Sequence, residues 1–182
     1  MFRYEYIGVF DIDEVIMPLQ QSNWHDLITE IKRTTPLESD DISTLVFRHA
    51  LFLDNVLEEQ EVEEDIPEWL HMMNHVYRSV NYFPPGYNVK SFHSTERTQV
   101  VHNHYGLFCL GPCQPHHVDP SLGQLQHYRR GCPVSISKED CSKYYEETVK
   151  DTTIWRIKDQ VINNSLATLR NVNINSTVEK LL

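Results

Sequence analysis

The chain reads as an α/β or mixed domain, one mixed sheet flanked by helices, and three observations predict this. An apolar β-like run, Tyr6 to Phe10, ends in acidic residues. Ser22 stands before Trp24, Leu27, Ile28 and Ile31, which share one face at helical spacing. Strand-like and helix-like segments then alternate, which excludes the all-α and all-β classes.

Taken in order, Tyr6-Ile7-Gly8-Val9-Phe10 predicts a buried strand with Asp11 at its C-terminal end. Ser22 is the expected cap of the first helix. Thr44 to Phe47 is rich in β-formers and predicts a second strand. The acid-dense run Glu58 to Asp65 reads as a solvated loop or frayed helix end. Pro67 suits a first helical turn, and Trp69, Leu70, Met73, Val76, Tyr77 and Val80 recur at helical spacing. Pro84-Pro85-Gly86 marks a turn. Short strands are expected at Val89 to His93, Gln99 to His102 and Gly106 to Leu110, and a loop from Gly111 to Pro120. Lys138 to Lys150 and Thr153 to Leu169 read as helices.

The 182 residues suffice for one compact domain with a real core, and the reading takes 1–182 as a single domain. The formal net charge of −10 argues against unaided binding to nucleic acid or an anionic membrane. It suits acidic groups partly neutralised by bound cations. No stretch is long and apolar enough to span a bilayer, and no signal peptide opens the chain. Four cysteines, Cys109, Cys113, Cys132 and Cys141, allow three pairings of two disulfides. With His116 and His117 nearby, a zinc site is the competing reading, but the spacing is not a usual zinc pattern. Cys109 to Cys113 and Cys132 to Cys141 are plausible local pairs, with crossed pairings open. Asn163-Asn164-Ser165 and Asn175-Ser176-Thr177 match the glycosylation pattern, which matters in a secretory setting.

Asp11-Ile12-Asp13-Glu14-Val15-Ile16 is the stretch that carries chemistry. Two carboxylates at i and i+2 beyond a strand offer the oxygen ligands that Mg²⁺ or Mn²⁺ require. An ion so held can bridge a diphosphate and stabilise departing negative charge. A strand ending in an acidic turn is the bland alternative. The same run fits the opening of haloacid-dehalogenase-type phosphatases, with Asp11 as nucleophile. Those enzymes need a late acidic pair, and Asp40-Asp41, the one Asp-Asp pair here, comes too early.

The chain also resembles glycosyltransferase family 92 from residue 5 to about residue 170. The resemblance rests on Val9 to Pro18, Leu45-Val46-Phe47-Arg48 with Phe52, Val89-Lys90-Ser91-Phe92, and Val100-Val101-His102-Asn103-His104-Tyr105. Val118-Asp119-Pro120, Leu125-Gln126-His127-Tyr128-Arg129 and Asp151-Thr152-Thr153 follow in the family's order.

The resemblance implies a GT-A-like fold and metal-dependent transfer of a hexose, galactose in known representatives, from a UDP-sugar to a glycan acceptor. It implies that Asp11 and Asp13 hold Mn²⁺ or Mg²⁺, with a histidine as further ligand. His104 is the first choice, followed by His102 and His127. Arg129 is the candidate for the donor phosphates. Glu14 is expected to support the metal loop. The acids between Asp54 and Glu68 are candidates for a catalytic base, and spacing does not choose among them. The family's usual setting is the Golgi lumen, as single-pass type II membrane proteins. The uridine cradle of such folds precedes the Asp-x-Asp strand. The chain is therefore expected to be the C-terminal part of a catalytic domain, without most of the nucleoside pocket and without stem or anchor. A non-catalytic remnant that binds a glycan or a partner protein is the third reading.

Overall fold

The computed structural model describes residues 4–35, 41–53, 65–133 and 136–171. The fold is mixed α/β, with sheets and helices both present, and it divides into two compact units. The first comprises Met1–Leu51 and Val80–His127, the second Phe52–Ser79 and Tyr128–Leu182.

In the first unit, β1 (Tyr6–Gly8), β6 (Lys90–Ser94), β3 (Thr44–Phe47) and β9 (Pro115–His117) form one sheet in that order. The first two contacts are antiparallel, and β3 pairs with β9 in parallel, so the sheet is mixed as expected. After β3 the chain continues as β4 (His49–Leu53). A separate antiparallel ladder joins β2 (Glu14–Pro18) to the start of β10 (Gly123–Arg129), with Glu14 opposite His127 and Ile16 opposite Leu125. Helix α1 (Trp24–Thr34) lays Leu27 and Ile31 into a core with Ile16, Leu45, Phe47, Phe92 and Leu125. Gly123 permits this approach, because a Cβ there would stand 3.2 Å from both Leu27 and Phe47.

Several expected elements take a different form. The first strand is short and sits at a sheet edge, with Ile7 and Val9 exposed, so it is not buried. The acids do not end that strand. They occupy the turn that leads into β2. The cap of α1 is Asn23, whose Oδ1 accepts from Asp26 N–H at 2.9 Å, while Ser22 donates to the Asp26 carboxylate. The loop before Pro120 contains β9, recruited by the open edge of β3. The strands β7 (Thr98–Val101) and β8 (Gly106–Cys109) fall within a residue of the expected segments, and the structure pairs them as an antiparallel hairpin.

In the second unit, the helix expected after Pro67 shrinks to α2 (His71–Asn74). Asn74 turns its side-chain amide back on the carbonyls of Pro67 and Leu70, and the chain leaves the helix as β5 (Tyr77–Ser79). Hydrogen bonding along a strand wins here because β11 (Thr148–Lys150) offers a complete antiparallel partner. That pairing also ends the next expected helix early, at Glu146 in α3 (Lys138–Glu146). A 3-10 turn over Thr153–Ile157 leads into α4 (Lys158–Asn171). Phe52 stacks on Tyr128 with ring centroids 4.5 Å apart, and Trp155 Nε1 donates to the Met73 carbonyl. Two disulfides are present, Cys109–Cys113 and Cys132–Cys141, the two local pairs among the three connectivities. They leave no thiolate for a zinc site.

Candidate functional site

Residues 11–14 form a tight turn closed by Glu14 N–H donating to the Asp11 carbonyl at 3.2 Å. The Glu14 side chain reinforces it, because Oε2 accepts from Asp11 N–H at 3.1 Å. Ile12 stands wholly exposed at the tip. The carboxylates of Asp11 and Asp13 face solvent, whereas that of Glu14 is only 3% exposed. The i, i+2 spacing thus produces two outward acids and one inward acid on a hydrogen-bonded frame. Glu14 supports the loop, as expected.

Two side chains from distant strands hold this frame. Lys90, at the start of β6, is completely buried, and its Nζ lies 3.0 Å from Asp11 Oδ2 and 3.0 Å from Glu14 Oε2. Its hydrogen bond holds the Asp11 carboxyl below the usual aspartate range, and His127 and His104 add smaller attractions. His127 lies opposite Glu14 in the β2–β10 ladder. Its Nε2 is 3.3 Å from Asp13 Oδ2 and its Nδ1 is 3.5 Å from Glu14 Oε1. The buried His49 ring stacks on His127 at 4.9 Å and on Phe83 at 4.2 Å, fixing the plane of the imidazole against the turn.

His104 donates Nδ1–H to the Val89 carbonyl at 2.8 Å, since a carbonyl can only accept. In the neutral ring this leaves the lone pair on Nε2, the tautomer a metal-binding imidazole needs. His102 stacks on Tyr105 and accepts the His104 backbone N–H at 3.4 Å. Arg129 lies in the second unit, where its Nε is buried without a hydrogen-bond partner among the described residues.

The structure therefore brings together Asp11, Asp13, Glu14, Lys90 and His127. Among the described residues no group of three or more His, Cys, Asp or Glu side chains is arranged to hold a metal ion. A two-carboxylate platform still fits Mg²⁺ or Mn²⁺, which commonly take one or two protein carboxylates and complete their shell with substrate phosphates and water. The turn carries three carboxylates, of which Asp11 and Glu14 contact the one ammonium, so the exposed face keeps an excess of negative charge.

Lys90 and His49 were not singled out from the sequence. Lys90 sat inside a matched stretch, and its neighbours Ser91 and Phe92 read as ordinary strand residues. A lysine at the start of an otherwise buried strand is the one signal that pointed to it. Of the candidate bases, residues 54–64 lie outside the described residues, as do the expected acidic loop over most of its length and the second glycosylation pattern. Asp65 is ion-paired with Lys158 and Glu68 is exposed.

Residues 1–165 match the family model of glycosyltransferase family 92. No curated protein matches the chain.

Proposed function

The chain belongs to glycosyltransferase family 92, and from that membership we propose that it takes part in metal-dependent transfer of a hexose, galactose by family precedent, from a UDP-sugar to a glycan acceptor. The observation that carries this reading is the exposed Asp11–Asp13 pair on a turn braced by Glu14, Lys90 and His127. A GT-A-like fold is part of the proposal, supported by the mixed sheet and by the position of the acidic turn before β2.

A bound Mn²⁺ or Mg²⁺ would supply positive charge to the donor diphosphate and favour its departure. Asp11 and Asp13 would hold it through their solvent-facing oxygens. His104, whose Nδ1–H is held by the Val89 carbonyl, is proposed as a further ligand that would have to move toward the two aspartates to join them. His127 positions Asp13, and Glu14 keeps the turn closed. The two disulfides suit an oxidising lumen, which supports a Golgi placement. Among the described residues no helix is long and apolar enough to cross a membrane.

Calorimetry of Mn²⁺ binding, with and without UDP, tests the reading on this chain and on Asp13→Ala. Binding that strengthens with UDP and disappears in the variant is the expected result. Binding unchanged by Asp13→Ala would overturn it.

A further inference from the structure

Lys90 presents a problem that the proposed reaction does not by itself resolve. Burying an ammonium completely is costly, and the loss is recovered only when its partners are well placed. Every residue of β6 is buried, so the ammonium has no access to water and relies on the groups around it. It sits at 3.0 Å from one oxygen of Glu14 and 3.0 Å from one oxygen of Asp11. That is the inner side of the aspartate turn, where a cation would neutralise both acids.

We propose that Lys90 is an internal counter-ion that occupies the inner half of the aspartate site and keeps its intrinsic affinity for divalent ions low. The inference rests on the metal-binding reading above. Asp11 commits Oδ2 to Lys90, so it can offer only its other oxygen outward, beside Asp13. A divalent ion arriving there meets an ammonium already within the same cluster and is repelled by it. Retention then depends on the donor's phosphates, whose negative charge offsets both cations. Lys90 is thus a positioning residue that couples ion retention to donor binding. It also holds the turn in shape when the ion is absent, because Glu14 and Asp11 are both anchored to it.

The test is Mn²⁺ affinity measured by calorimetry without nucleotide. Damage to the fold weakens metal sites, whereas removal of a competing cation strengthens them, so the sign of the change separates the two roles. Lys90→Gln is expected to bind Mn²⁺ at least about tenfold more tightly than the unmodified chain. Lys90→Arg, which keeps the charge, is expected to bind like the unmodified chain. Because Lys90→Gln strands the buried Glu14 carboxylate and can fail to fold, the double variant Lys90→Met with Glu14→Gln is measured in parallel. It removes one buried charge of each sign, keeps an acceptor for Asp11 N–H and frees Asp11 Oδ2, and it is expected to bind Mn²⁺ more tightly than the unmodified chain but by less than Lys90→Gln. Circular dichroism establishes that each variant is folded. Affinity at or below that of the unmodified chain in the folded variants would overturn the proposal. Failure of the transferase reading would appear differently: UDP would add nothing to Mn²⁺ binding in the unmodified chain, while the gain in the Lys90 variants would persist.

Discussion

Arg78 Nε lies 2.7 Å from Asp151 Oδ2, and both side chains are largely shielded from water, at 16% and 9% exposure. The other Asp151 oxygen accepts from Thr153 N–H at 3.1 Å and from Thr153 Oγ1 at 2.6 Å. One carboxylate therefore joins β5 to the turn that starts the C-terminal helices. Asp151 N–H donates to the Val76 carbonyl, so backbone and side chain act at the same point.

Asp151→Ala is expected to destabilise the protein by about 3 kcal/mol, because it leaves the Arg78 charge buried without its carboxylate. Urea denaturation measures this. A loss below about 1 kcal/mol would mean that water or another group replaces the carboxylate at no great cost.

Stability is expected to fall as pH drops from about 7 to about 5. Burial depresses the pKa of His93, whose Nδ1 shares a hydrogen bond with Thr44 Oγ1, and burial together with the neighbouring His117 depresses that of His116. The unfolded chain then binds more protons than the folded one below the ordinary histidine pKa of about 6.5. The stabilisation is complete above that pKa and is lost as pH falls through the folded values. Melting temperatures across this range should decline, and His93→Gln should flatten part of the slope.

Replacing Cys132 and Cys141 together by serine is expected to cost about 2–3 kcal/mol, from the extra freedom of the unfolded chain. The crosslink spans a sequence separation of 9. Peptide mapping without reduction should recover this bridge and Cys109–Cys113. Crossed peptides would overturn the pairing.

Ile12 and Ile16 make a paired comparison within one motif. Ile16 is fully buried in the core with Leu27 and Leu125, whereas Ile12 is fully exposed at the tip of the turn. Ile16→Ala should cost about 3 kcal/mol by opening a cavity. Ile12→Ala should change stability by less than about 0.5 kcal/mol. Equal effects would mean that the turn is not solvent-facing.

The acidic residues were legible because they are contiguous: Asp11, Asp13 and Glu14 sit within four residues. Their setting was not, since they form the turn into β2 and do not end the strand before them. The short strands near Gln99 and Gly106 were legible for the same reason, whereas their pairing was not. The strands at Tyr77–Ser79 and Thr148–Lys150 were not, since each reads as part of a helix until the other is alongside. Helical periodicity describes a face to be buried, and a strand partner can bury and hydrogen-bond the same residues.

The amino-acid sequence by itself determined the mixed class, the helix beginning near Trp24, the local disulfide candidates and the two outward aspartates, because each depends on neighbours a few positions away. The tertiary structure alone decided what holds those aspartates. Lys90 is 79 residues from Asp11, and His127 is 114 residues from Asp13. No spacing rule reaches that far. Their contact arises because β6 and β10, each packed into a core of the first unit, deliver one buried ammonium and one imidazole to the same turn. Charge recognition at 3 Å is a property of that packing, and local pattern carries no record of it.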